Sequence, residues 1–253
     1  MHRAVLVSGM VFAQAITLAH SARAEGSGPF SFSGTLGGIY APTYEGSDTS
    51  EGGALIDFNV SIRDGLFFAG TRGIGFAPIN TETMSVKLAI GYGGERKMED
   101  DPTNLSGLGD IDGEALAIVS GEYRIGQISF GAELKGGQDY GATVDFKVST
   151  GVECTDRITL GGEISATYAD DSHMQRYFGV TAAQSAASGK AVYGAGSGIK
   201  SAGVGVSVSF AVTQATSIDF GARYDRLMGD AGNSPITQDK GQTSAFLGVS
   251  TQF

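Results

Sequence analysis

The sequence predicts an all-β fold: a transmembrane antiparallel up-and-down β-barrel of about twelve strands, with about ten as the alternative count. Three observations predict it. Apolar and polar residues alternate with a period of two in segment after segment, the mark of strands with two unlike faces. The 253 residues include 40 glycines and 5 prolines but no tryptophan, a composition that opposes long helices. Beyond the first residues no run approaches the roughly 18 consecutive apolar residues of a membrane-spanning helix.

The elements follow in order. The chain opens MHRAVLVSGMVFAQAITLAHSARA, in which Arg3 precedes an apolar run over 4–19 and Ala22, Arg23 and Ala24 form an A-x-A cleavage pattern. Residues 1–24 therefore read as a secretory signal peptide and 25–253 as the barrel. The apolar run is short and broken by Ser8, Gly9 and Gln14, which argues against a membrane anchor. Alternation predicts strands near 30–41, 52–63, 66–78, 83–94, 113–125, 127–137, 141–152, 157–169, 173–182, 199–212, 216–228 and 241–253. In 54–63, ALIDFNVSIR, Ala54, Ile56, Phe58, Val60 and Ile62 share one face, and Leu55 is the single large apolar residue on the other. Ile128, Phe130, Ala132 and Leu134 likewise oppose Ser129, Gly131, Glu133 and Lys135, and Ile218, Phe220, Ala222 and Tyr224 oppose Ser217, Asp219 and Arg223. No linker divides the array.

Periodicity alone does not say which face is wet, because a soluble barrel or sandwich alternates in the same way. Strand number decides. An eight-stranded barrel is filled by its own side chains, whereas an apolar lumen in a wider one is a void. The expected lumen charges are Asp57, Arg63, Glu133, Lys135, Asp145, Lys147, Arg157, Glu163, Asp219 and Arg223, leaving the apolar faces to lipid. Tyr40, Tyr44, Tyr92, Tyr123, Tyr168, Tyr177 and Tyr224 fall near expected strand ends, where an aromatic girdle belongs. The last strand ends in FLGVSTQF, and Phe253 resembles the terminal aromatic signal read by the outer-membrane barrel-assembly machinery.

Several ordered motifs resemble the MipA/OmpV family of outer-membrane proteins, also called MltA-interacting proteins. They are YAPTYEGSD (Tyr40, Pro42, Tyr44, Gly46, Ser47, Asp48), RDGLFFAGTRGIG, LSGLGDIDG, YFGVTAAQSAASG and RLMGDAGNSPIT (Gly229, Asp230, Ser234, Pro235). The resemblance implies an outer-membrane scaffold joining a periplasmic murein lytic transglycosylase to a murein synthase. Other members are described as porin-like or as surface antigens, so a channel for small polar solutes is the alternative. Counting strands from a periplasmic N-terminus puts the acidic loop ERKMEDDPTNLSGLGDID on the periplasmic side. The loop over 183–198 is a candidate plug.

Chemistry leaves little trace, and no cofactor or enzymatic role is expected. His2 and His20 fall within the signal peptide. His173 would need a nucleophile such as Ser172 and a carboxylate such as Asp170 or Asp171 to serve an outer-membrane lipid-modifying enzyme. On a strand, Ser172 and His173 point to opposite faces, and His173 reads as a solvated loop or strand-end residue. Asp110, Asp112 and Glu114 resemble part of a calcium loop without its further acids, and the default is a solvated acidic loop. GAGSGIKS (194–201) lacks the adjacent Gly-Lys-Ser/Thr of a phosphate loop. Cys154 is alone, so no disulfide staples the chain. The net charge of −10 argues against nucleic acid as partner.

Overall fold

The computed structural model describes residues 30–63 and 65–253; the expected signal peptide lies outside them. Twelve strands form one closed antiparallel barrel in which each pairs with its neighbours in sequence and β1 pairs with β12. They are β1 (Phe30–Pro42), β2 (Ser50–Ile62), β3 (Phe67–Gly70), β4 (Gly73–Asn80), β5 (Met84–Gly93), β6 (Glu114–Ile125), β7 (Ile128–Gly137), β8 (Gly141–Thr155), β9 (Ile158–Ala169), β10 (Gly198–Ala211), β11 (Thr216–Leu227) and β12 (Gly241–Gln252). The count agrees with expectation because two differences cancel. The segment 66–78 is two strands, broken at Thr71 and Arg72, and 173–182 is largely a helix.

Alternation becomes two unlike surfaces. Leu36, Ile90, Tyr92 and Ile164 are 60–69% exposed on the outer wall, whereas Glu163 and Asp219 on the inner wall are 4% and 2% exposed. Such an inversion suits a bilayer outside and polar contacts within. Closure also pairs backbone groups that would otherwise be orphaned in hydrocarbon. Leu55, the single large apolar residue on the polar face of 54–63, points inward and packs with Ile39, Ala41 and Phe246. At the β1–β12 seam the strands approach so closely that a Cβ on Gly37 would collide with the Leu247 carbonyl.

The two rims differ. At the rim that holds both termini, short turns join β2 to β3, β4 to β5, β6 to β7, β8 to β9 and β10 to β11. Long connections 43–49, 94–113, 170–197 and 228–240 gather at the opposite rim. The acidic 94–113 loop thus lies away from the termini, which reverses the expected side. Splitting 66–78 into β3 and β4 adds one crossing before that loop and flips the parity.

Candidate functional site

The four long connections fold into a dome over the barrel mouth. In the closed ring the β5–β6 and β11–β12 connections begin half the circumference apart. Their side chains nevertheless meet: Leu105 and Leu108 of 94–113 share a buried cluster with Ile236 of 228–240, Tyr44 of 43–49 and Val180 of 170–197. The dome therefore crosses the mouth. A second cluster joins it to the wall through Ala169, Met174, Phe178, Ala195, Leu227 and Ala231.

Local sequence explains the dome's short helices. Helix α1 (Pro102–Leu105) has proline at its first turn and Asp101 as N-cap, accepting from the Thr103 and Asn104 amides. Helix α2 (Asp171–Phe178) is capped by Asp170, and α3 (Ala182–Ser188) by a capping box of Thr181 and Gln184. Helix α4 (Gly229–Asn233) follows β11. Side chains then bind loop to loop. Gln184 Nε2 donates to the Leu108 carbonyl at 2.6 Å, Ser234 Oγ to that of Phe178 at 2.6 Å, and Arg96 Nη1 to that of Tyr177 at 2.8 Å.

Two of the motifs quoted above, distant in sequence, meet here. Tyr44 Oη donates to the Ile236 carbonyl at 3.0 Å, and burial raises its pKa. The Gly46 amide donates to Gln242 Oε1, while its carbonyl accepts from the Gln238 and Asp239 amides. Gly46 has φ +103°, and a Cβ there would crowd Thr237. Ser47 is buried and bonds Thr49, whose hydroxyl reaches exposed Asp48. Pro42 ends β1, and Tyr40 lies outside the dome, on the lipid-facing wall. From the other motif, Asp230 Oδ2 accepts from the Gly196 amide at 2.8 Å, the Pro235 carbonyl accepts from Lys190 Nζ at 3.1 Å, and Gly229 begins α4.

Beneath the dome the inner wall carries two ion-pair groups. Lys135 Nζ lies 3.0 Å from Glu133 and 3.2 Å from Asp145, whose other oxygen accepts from Thr167 at 2.6 Å. Arg223 bridges Glu163, Asp225 and Ser165. Asp57 accepts from Thr71, Asp219 accepts from Ser217, and Lys147 lies on the same inner face of β8 as Asp145. Arg63 and Arg157, expected in the lumen, sit instead in turns at the rim with the termini, because β2 ends at Ile62 and β9 begins only at Ile158, each one residue short of the expected bounds. Asp225 and Ser165 were not among the expected lumen residues; their register opposite Gly203 on β10 carries the signal.

His173 also departs from expectation. It is on α2, not a strand, and is 2% exposed between the rings of Tyr140 and Tyr177, with Nδ1 3.1 Å from the Tyr140 carbonyl. Burial, reinforced by the Lys200 charge, pushes its pKa down to about 2. Burial likewise pushes Tyr177 up to about 12. The Asp110 carboxylate accepts from the Met98 amide and Asp112 pairs with Lys97, so these acids brace their own loop. Among the described residues no group of three His, Cys, Asp or Glu is placed to hold a metal ion. Cys154 is exposed near the end of β8.

The chain is similar to several solved barrels. The NanC porin matches at 8% identity and TM-score 0.42, covering 88% of this chain and 98% of the porin. An outer membrane channel from Pseudomonas putida F1 matches at 10% identity and TM-score 0.42, covering 89% and 96%. The KdgM porin matches at 6% identity and TM-score 0.40, covering 88% and 98%. No match was found among curated proteins. The model of the MltA-interacting protein MipA matches residues 35–253, from within β1 to the last residue, and the chain therefore belongs to the MipA family.

Proposed function

We infer that the protein is a non-enzymatic interaction protein of the outer membrane, a barrel that anchors partners of the murein machinery. The family match over 35–253 is the observation that carries this reading, and it points to a lytic transglycosylase as one partner. Family and lipid-type outer wall together indicate the outer membrane. A dome fixed across the mouth suits an anchor better than a diffusion path. The turns beside the termini then face the periplasm, with the dome outside, and the signal peptide over 1–24 supplies export. Affinity capture with the purified barrel in detergent tests the reading. Murein lytic transglycosylase and murein synthase enrich over an unrelated barrel if it is right, and equal recovery on both barrels refutes it.

A second reading, a porin-like channel for small polar solutes, is favoured by the ion pairs of Lys135 and Arg223 on the inner wall. Under that reading the inward charges set solute selectivity. Conductance across a planar bilayer separates the two.

A further inference from the structure

The barrel wall is not equally tall all the way round. The β3–β4 hairpin turns at Thr71 and Arg72, where the Thr71 amide donates to the Phe58 carbonyl and Gly73 abuts Ile90. On one side, β2 pairs with β3 only over Asn59 to Ile62. Among the described residues, 50–57, about 25 Å of strand at 3.3 Å per residue, pair with β1 alone. On the other side, β5 pairs with β4 up to Ile90, and 91–93 pair with β6 alone. Among the described residues, the wall above the turn lacks two strands.

This gap lies at membrane depth. Tyr40 and Tyr92 are exposed on the outer wall near the dome, at the headgroup level of a girdle. Tyr40 pairs with Gly52 of β2, and Phe58 lies well below it on the same strand. The uncovered edge of β2 therefore descends past the girdle toward the middle of the bilayer. Backbone N–H and C=O groups along such an edge are strongly unfavourable against hydrocarbon unless water or a polar group reaches them. Water can reach them from the barrel interior.

The flanks are chemically divided. Outside, Ile56, Ile74 and Ile90 present exposed apolar side chains to lipid. Inside, Asp57 accepts from Thr71, and Arg72 interacts electrostatically with Asp57 and Glu133. Apolar flanks facing lipid and a charged floor facing water fit a molecule with an acyl chain and a polar head. The dome, meanwhile, crosses the axial route.

We propose that the shortened β3–β4 hairpin forms a lateral window through which acyl-chain amphipaths enter the barrel from the membrane, head inward and chain outward. The experiment uses the full barrel with Cys154→Ser, reconstituted in phosphatidylcholine vesicles whose acyl chains are brominated at mid-chain. An environment-sensitive fluorophore is placed on Asp57→Cys or Lys87→Cys near the window, or on Ser207→Cys, an inward position on β10 away from it. Folding of each variant is checked by heat-modifiable migration, and the two window positions are independent reporters.

The expected result is quenching at the window at least about threefold stronger than at position 207. Quenching falls to the position-207 level when the β3–β4 hairpin is lengthened to continue its pairing with β2 and β5. Equal quenching at all positions overturns the proposal, as does quenching that survives the longer hairpin. A purified barrel found to be a dimer joined along the free edge of β2 also overturns it, since a second copy then fills the gap.

Discussion

Acid should loosen the dome through His173. In the closed dome the imidazole is buried and held neutral, its pKa pushed down to about 2, whereas in an opened dome it returns to its ordinary value of 6.5. The folded pKa is the depressed one, so the opened form takes up the proton first. The contribution to stability is complete above pH 6.5 and is lost as pH falls from there toward 2. At pH 4.5 the loss is about 3 kcal/mol, or about a hundredfold in the opening equilibrium, at 1.36 kcal/mol per pH unit. The charges of Lys200, Lys135 and Arg176 oppose its protonation, while the Tyr140 carbonyl favours it. Hydrogen exchange of the 171–178 amides, corrected for intrinsic rates, reads the effect in the detergent-solubilised barrel. Protection should fall about a hundredfold between pH 6.5 and 4.5. In His173→Gln, which keeps every carboxylate, this loss should be absent. Protection unchanged at pH 4.5, or an equal loss in the Gln variant, would refute the reasoning.

Other substitutions separate the dome from the wall. Leu105→Ala empties a fully buried site and should destabilise the dome by about 2–5 kcal/mol; proteolysis within 94–113 rises while the barrel still migrates as folded. Arg223→Met leaves Glu163 buried without its cation and should cost about 3–5 kcal/mol in thermal or denaturant unfolding, most of it restored by adding Glu163→Gln. Gly37→Val should block the β1–β12 seam and abolish the folded band on gels, whereas Gly38→Val, with only the Gly53 carbonyl near at 3.9 Å, should fold.

Much of this was legible in the alternation, because a wall with lipid on one side and charges on the other writes a period of two directly into the chain. Where other forces decided, the pattern misled. FFAGTRGIGF reads as one strand since its turn residues lie inside an apolar run; the break shows only in the register, where Gly70 opposes Gly73. DSHMQRYF carries Met174, Tyr177 and Phe178 at helical spacing, with Asp170 to cap it, yet its aromatics resemble a strand. These two segments account for the reversed side of the acidic loop and for the misplaced His173. The dome's contacts join residues far apart in the chain, such as Tyr44 with Ile236, 192 residues on, and no local pattern announces such a pairing. The motif residues Tyr44, Gly46 and Ser234 all lie in the dome, where each bonds a different loop or strand.

Conductance before and after removal of the dome tests the central claim most directly. The intact barrel, inserted in a planar bilayer, should carry little steady current, and replacing 94–113 with a short turn should open a stable, salt-dependent one. An intact protein that already conducts as freely as the shortened one would contradict a mouth closed by its own loops.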